Sequence, residues 1–563
     1  MIFLTVAIVM VLAVFAAKLV WIQVLHGPTI AAEARDSRLI PVSLLGARGQ
    51  ITDVNGVALA TSVERYTVSV NQKQVGEFAG TADVPAGAEG IAQLLAPMLD
   101  TSAPELGGLL VGDRGYKVLK KGVLPEVARE IRSLKLPGIG VDKVADRVYP
   151  NGALAGNVIG FVNSAGAGLE GLEASLDDKL KGTPGEEVYE GGAGGQAIPG
   201  GFSADTPAKQ GSSVRLTLDA DIQYKAEAAL DEAVAKTGSE SGTVVVQEVG
   251  TSAILALADS DKRDPNDPGA DSGSLAASVS NVFEPGSTGK IVTMAALLEN
   301  KLVTPTSQYK VGYTYETPNG QVFKDSHEHG TLKLTTTGIL AQSSNSGTVQ
   351  IGQELTTEQR YSYLERFGFA SRTGIELPGE SAGYFAPQEG RSKYAVLFGQ
   401  AVAVNALQVT QVFATIANHG VSVKPHIIAG WTSPDGTYTP VEAADSTRVV
   451  SAKTADTVLR MMESVVDDGT GSNASIPGYR VAGKTGTAQN WIDGKQGITA
   501  SFIGAVPADD PRIVVSVILH NPKTSVYGGD VAAPVFKEVA SYTLGELGVA
   551  PSGSKAKLFP TTW

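Results

Sequence analysis

The 563-residue chain predicts an α+β protein, an antiparallel sheet between helical layers, set behind an N-terminal membrane helix and a mixed α/β segment. Three observations predict it. One apolar run at the start is long enough to cross a bilayer. Beyond residue 214, β-rich runs and a hairpin signal alternate with amphipathic helical spacing, which favours a sheet covered by helices. Hydrophobic residues at 43% and charged residues at 18% exclude wholesale disorder.

The elements follow in chain order. Ile2 to Leu25 is apolar except for Thr5, Lys18 and Gln23; at about 1.5 Å per residue it spans a hydrocarbon core of roughly 30 Å. Lys18 lies near one end, where it can snorkel, and Trp21 suits the headgroup zone. A cleaved signal peptide is the competing reading, but such peptides carry a basic stretch before a shorter apolar core, and no basic residue precedes this run. Ala32-Glu33-Ala34 resembles a cleavage site but lies beyond the apolar segment. Residues 1–25 are therefore expected to be an uncleaved anchor. Its orientation stays open: Arg35 and Arg38 after the span, counted by the positive-inside rule, put the bulk of the chain in the cytoplasm, whereas a start site assigned too far downstream would explain a missing basic tail.

Residues 26–186 read as a first domain. Asn55-Gly56 marks a turn, Arg65 to Val70 a strand with Tyr66, Val68 and Val70 on one face, and Pro125 to Leu134 a helix opened by proline. Residues 187–213, rich in Gly and poor in large apolar residues, read as a loop or linker. Residues 214–548 form the second domain. Helices are expected over Asp219–Lys236, from Ser287 onward, over Leu332–Leu355 and over Ala455–Val466. Strands are expected over Thr243–Val249 and Ala253–Ala258, with a hairpin formed by Ser501–Val506 and Ile513–Leu519. Residues 549–563 are a short tail.

With 45 Lys and Arg against 58 Asp and Glu the net charge is −13, a poor match to nucleic acid, whose binding rests on cationic side chains. The absence of Cys excludes disulfides, thiolate catalysis and Cys-ligated metals. No cofactor is implied.

Chemistry concentrates in three strings: Ser287-Thr288-Gly289-Lys290, Ser343-Ser344-Asn345 and Lys484-Thr485-Gly486-Thr487. Each alone is weak, since Ser552-Gly553-Ser554-Lys555 and Lys236-Thr237-Gly238 repeat two of them, but only the first three make an ordered set. Ile291, Met294, Ala295 and Leu298 follow Ser287 at helical spacing, so Ser287 and Lys290 share a face of a first turn. A serine hydroxyl is a weak nucleophile until a base takes its proton. Lys290 can be that base if burial, the helix N-terminus and a neighbouring cation, for which Lys484 is the candidate, depress its pKa. Ser343 would relay a proton, and Asn345 would orient an amide. The charge of Lys484 and the hydroxyls of Thr485 and Thr487 suit a carboxylate, while Gly486 would let backbone approach a ligand. The backbone N–H groups of Ser287 and Thr487 would form an oxyanion hole.

This ordered triple resembles the class B penicillin-binding proteins, monofunctional D,D-transpeptidases, and most nearly their division-type members. Further matches are Arg48 to Asp53 with Asn55-Gly56, Arg147-Val148-Tyr149-Pro150-Asn151-Gly152, Gly168 to Glu173, Glu284 to Lys290, and Tyr527-Gly528-Gly529. The resemblance implies a dimerisation-type pedestal, a penicillin-binding transpeptidase domain of serine β-lactamase-like fold, and an extracytoplasmic catalytic part on a single-pass anchor. It implies a serine acyl-enzyme formed on D-Ala-D-Ala stem peptides, 4-3-type cross-links in septal wall, and β-lactams as covalent inhibitors. Without motifs of a glycosyltransferase domain, glycan polymerisation falls to a separate membrane enzyme among the division proteins. One departure stands out: Phe398-Gly399-Gln400-Ala401 carries Ala where similar proteins have Gly.

Three alternatives stand beside this reading. A β-lactamase-type hydrolase would need a deacylating Glu, for which Glu376 and Glu380 are candidates, although they sit in a Pro-Gly turn. A retired scaffold or β-lactam sensor is opposed by intact Lys290, Ser343 and Lys484. A metal site at His327 and His329, with Asp325 and Glu328, is set against a plain polar loop.

Overall fold

The computed structural model describes every residue except 193–196, 268, 270–275 and 493–494, so the centre of the Gly-rich stretch at 193–195 lies outside the described residues. The apolar helix runs over Ile2–Val20 and continues as a wider turn over Trp21–Leu25. Its 2–24 stretch is long and apolar enough to cross a membrane, and none of it is buried in protein.

The rest of the chain forms two compact units that interleave in sequence, rather than dividing at 186 and 214. One comprises residues 1–49, 62–146 and 181–211; the other comprises 50–61, 147–180 and 212–563. Particular hydrogen bonds explain the interleaving. Asp53 accepts from Ala220 N at 3.1 Å, and Asn55 Nδ2 donates to Asp219 at 2.9 Å. Asp219 in turn caps the helix Ala220–Thr237, so the Asn-Gly turn folds with the second unit. Ala155 N likewise donates to Glu227 of that helix at 2.8 Å.

In the first unit, residues 62–70 pair with the strand Lys117–Val123 and pack on the helices Gly87–Leu99, Ala103–Leu110 and Pro125–Ser133. Val68 and Val70 are buried with Ile91, Leu95, Leu106 and Ile131, as the alternation in 65–70 requires. The segment expected to be a loop over 187–213 carries two strand pieces at 187–190 and 203–206, with most of its other described residues outside regular structure. Strands Gly185–Glu190 and Ser203–Thr206 pair with each other, and the former pairs with Leu39–Leu44. Their exposed, polar faces (Glu186, Glu187, Ser203, Asp205) concealed them from a reading based on apolar alternation.

The second unit is built on a five-stranded antiparallel sheet in the order Ile254–Asp259, Ser241–Glu248, Ile513–His520, Lys495–Val506, Ala482–Ile492. Period-two alternation assigns its faces. Val244, Val246, Val515 and Val517 join a core with the helices Ala220–Thr237 and Ala533–Glu546. Val245, Val514 and Ile518 join the larger core on the other face, shared with Lys290–Glu299, Ala406–Ala417 and Ala452–Asp467. The layered α+β prediction therefore holds. The helix expected over Leu332–Leu355 does not run through. It is a strand, Leu332–Thr335, then helices Thr336–Ala341 and Asn345–Gly352. Two caps cut it: Thr335 Oγ1 accepts from Gly338 N at 3.0 Å, and Ser344 Oγ from Gly347 N at 2.9 Å. Between the two helices Ser343 takes a left-handed φ of 57°.

Ala401 has a φ of 60°, the region in which a Cβ costs about 1–2 kcal/mol and glycine is free of that cost. The departure seen in the sequence is thus a strained position. Offsetting glycine's chain entropy of about 0.5–1 kcal/mol, Ala401→Gly is expected to stabilise the protein by about 0.7 kcal/mol, read as a higher urea midpoint at unchanged slope.

Candidate active site

The break at Ser343 builds the site. Ser287 lies on a single 3-10 turn, Gly286–Gly289, that feeds the helix Lys290–Glu299, placing Ser287 and Lys290 on one first turn as the spacing predicts. Lys484 stands on Ala482–Ile492, the edge strand of the sheet. Gly286, at φ 55°, lets these two elements meet: a Cβ there would lie 2.9 Å from Ala488 Cβ and 3.1 Å from Thr487 O.

Both lysines are fully buried, and they converge on Ser343. Lys290 Nζ donates to Ser343 O at 2.5 Å and to Ser343 Oγ at 3.3 Å. Lys484 Nζ donates to the same Oγ at 2.9 Å and to Thr485 O and Oγ1 at 3.1 and 3.2 Å. A hydroxyl shared by two buried amines is a proton junction. Burial pushes the Lys290 amine down to about 7, with the Asp325 carboxylate pulling the other way. Burial, and then the charge of Lys290, hold Lys484 well below the ordinary lysine range. This reverses part of the sequence reading. Lys484 is the lysine depressed by its neighbour's charge, and an amine so buried and depressed is a poor lone cation for a carboxylate.

In front of this cluster lies a cleft of about 390 Å³ whose walls include Ser287, Ser343, Asn345, Thr485 and Thr487. The structure thus brings Ser343, Lys290, Lys484 and Thr485 into hydrogen-bond contact and puts Ser287, Asn345 and Thr487 on the same cleft. The half-buried Ser287 lines this cleft, and its hydroxyl makes no hydrogen bond among the described residues. Asn345 lines the cleft; its Oδ1 is buried without a partner. Gly486 serves packing rather than ligand approach: a Cβ there would meet Ser501 Oγ at 2.2 Å and Pro285 O at 3.2 Å.

Several site residues carry no local sequence signal. Asp325 accepts from Ser344 Oγ at 2.7 Å, Ser346 N at 2.8 Å and His329 Nε2 at 3.0 Å, pinning the start of the Asn345 helix. Thr470 Oγ1 bonds Thr485 Oγ1 at 2.7 Å. His327 lines the cleft and its Nε2 meets Tyr527 OH at 3.1 Å. The two imidazoles of the possible metal pair therefore face different partners. Glu376 accepts from Ile427 N at 3.0 Å and Glu380 from Gly374 N at 3.0 Å, which commits both candidate deacylating carboxylates to turns.

Because Asp325 holds the Lys290 pKa up, Asp325→Asn lets it fall further. The rising limb of the acylation pH profile is expected to move to lower pH, measured with a fluorescent penicillin.

A layered sheet with a serine at a helix start and paired buried lysines behind one cleft defines an active-serine acyltransferase of the penicillin-reactive kind. Residues 242–541 match the penicillin binding protein transpeptidase domain, and residues 43–216 the penicillin-binding protein dimerisation domain. The chain is 36% identical to penicillin-binding protein PbpB of Mycobacterium tuberculosis, over 96% of this chain and 84% of that one. It is 32% identical to peptidoglycan D,D-transpeptidase FtsI of Escherichia coli, over 97% and 91%. The crystal structure of a peptidoglycan synthetase from Bifidobacterium adolescentis superposes with a TM-score of 0.75 at 36% identity, covering 93% of this chain and all of that one. The chain belongs to the class B penicillin-binding proteins.

Proposed function

We propose that Ser287 carries the acyl-enzyme of a septal cross-linking enzyme, with Lys290, Ser343 and Lys484 as its proton-handling set. The chain is a membrane-associated serine-type peptidoglycan D,D-transpeptidase of cell-wall synthesis; its long apolar N-terminal helix suits a membrane anchor, and the remainder is extracytoplasmic, as work on wall peptides requires. The observation that carries the residue assignment is the Ser343 hydroxyl held between two buried amines at 3.3 and 2.9 Å, on the cleft that Ser287 also lines.

The chemistry follows from that geometry. Neutral Lys290 takes the Ser287 proton as Oγ attacks the D-Ala-D-Ala carbonyl. Negative charge develops on the carbonyl oxygen, where the N–H groups of Ser287 and Thr487 would receive it; one such donor is worth about 3–4 kcal/mol. The C–N bond breaks, the proton passes by way of Ser343 to the departing D-Ala amine, and an ester remains on Ser287. An amine of a neighbouring stem peptide then attacks the ester, giving the 4-3 cross-link and returning the proton to Ser287. Asn345 Oδ1 accepts from an amide N–H of the donor peptide, and the hydroxyls of Thr485 and Thr487 meet its terminal carboxylate. A β-lactam acylates Ser287 as a mimic of the donor.

The likeness to penicillin-binding protein PbpB and peptidoglycan D,D-transpeptidase FtsI supports reading the protein in a division and wall-synthesis context. A separate membrane glycosyltransferase supplying nascent glycan is part of the proposed reading. Two results test it. A penicillin adduct is expected to persist far longer than it takes to form, since both candidate glutamates are engaged elsewhere; rapid release of hydrolysed drug would instead favour a lactamase-type hydrolase. Depletion in cells is expected to give filaments, and rounded cells would refute the septal role.

A further inference from the structure

The short tail, residues 549–563, is bound to the second unit near both of its ends. Tyr479 OH donates to Val549 O at 2.7 Å, Ser552 N to Gly478 O at 2.9 Å, and Arg480 N to Ser552 Oγ at 3.0 Å. These contacts lie immediately before the Lys484 strand. The Ser-x-x-Lys decoy at Ser552 is thus a structural turn, its hydroxyl also donating to Asp509 at 2.6 Å. Further on, Phe559 packs on the main core and beneath the guanidinium of Arg460.

The chain then reaches the helix Thr336–Ala341, which ends two residues before Ser343. Thr335 N donates to Thr561 O at 3.0 Å and Thr335 Oγ1 to Pro560 O at 2.6 Å. This is the same Thr335 whose hydroxyl caps Thr336–Ala341. Gly338 has no room for a side chain there, since a Cβ would lie 1.8 Å from Thr561 O. Thr561 Oγ1 donates to Asp468 at 2.9 Å, two residues before the Thr470 that bonds Thr485.

We propose that residues 549–563 are a positioning strap that laces the segment leading into the Lys484 strand to the helix before Ser343, and so holds the Lys290–Ser343–Lys484 junction closed. The strap touches no reacting atom. It acts through Thr335 and Gly338 on a helix of six residues, too short to hold its own position, and the turn that follows it carries the Ser343 carbonyl and hydroxyl that the lysines grip. A catalytic constellation tolerates displacements of only about 0.5 Å, so loosening that helix is expected to slow acylation and to hydrate the lysines.

The inference rests on the assignment of Ser287. Its test uses the full chain in detergent, a version lacking residues 557–563, and full-length Gly338→Ala, which displaces the strap without removing it. The readouts are the second-order rate of acylation by a fluorescent penicillin and its pH profile. Both variants are expected to lose at least tenfold in rate, with the rising limb moved to higher pH as the lysines regain water. A peptide of residues 553–563 added in trans is expected to restore the truncated protein's rate and profile. A purely structural tail would lower thermal stability while leaving the pH limb in place, and that result overturns the proposal. So does an unchanged rate in either variant, or failure of the peptide to restore a folded truncation. If the truncation does not fold, Gly338→Ala decides alone. Loss of Ser287-dependent labelling in the parent would overturn the site assignment, and the strap with it; normal labelling in parent and variants alike overturns only the strap.

Discussion

Replacement of Ser287 by Ala is expected to abolish covalent labelling by fluorescent penicillin altogether, the largest effect of any single substitution here. Ser287 and Ser343 are both serines of the cleft, but they are not equivalent. Ser343 Oγ is held by Lys484 at 2.9 Å and by Lys290 at 3.3 Å, so its lone pairs are engaged by amine donors, which suits a relay. The Ser287 hydroxyl makes no hydrogen bond among the described residues, and it stands where the N–H groups of a helix start can receive an oxyanion, three residues from the lysine proposed to take its proton. Ser343→Ala should accordingly slow acylation without removing the adduct. Labelling that survives in Ser287→Ala would assign the nucleophile elsewhere.

The second large effect concerns Lys290. Lys290→Met keeps the volume and removes the base, and acylation is expected to fall by about 10²–10⁴, the range for loss of a positioned proton acceptor. The sign of the pH dependence is fixed. Lys290 must be neutral to act, and burial brings its pKa down to about 7, so wild-type acylation is lost as pH falls through about 7 and reaches a plateau above it. Because Lys290 and Lys484 share Ser343, the profile reports the pair rather than either amine. Lys290→Met removes the charge that helps depress Lys484, so any residual activity should lose the limb near 7. Stopped-flow acylation from pH 5 to 9 on both proteins checks this, and an unchanged limb in Lys290→Met would assign it to another group.

Much of this site was legible in the sequence because its parts are local. Ser287 and Lys290 are three residues apart on one turn, and the apolar spacing of Ile291, Met294 and Ala295 announces the helix that carries them. The strand around Lys484 was visible for the same reason. The break at Ser343 was not, because apolar residues recur through Leu332–Leu355 at spacings that fit one helix; only the caps at Thr335 and Ser344 cut it, and both residues are also common inside polar loops. Asp325 looked like part of a polar loop because two of its donors, Ser344 and Ser346, lie about twenty residues away, while His329 is a neighbour in the same polar stretch. The strap was invisible for a different cause. It is bound largely through the carbonyls of Val549, Pro560 and Thr561, and every residue has a carbonyl. The interleaved units were likewise hidden, since they rest on pairs such as Asn55 with Asp219 that no local pattern reveals.

The spatial claim is tested most directly by a crystal structure of the protein reacted with a penicillin. It is expected to have the acyl group esterified to Ser287 Oγ, its carbonyl oxygen between the N–H groups of Ser287 and Thr487, and Lys290 Nζ at about 2.6–3.2 Å from the ester oxygen. An adduct on any other side chain, or an ester on Ser287 with Lys290 turned away and no amine in reach, would contradict it.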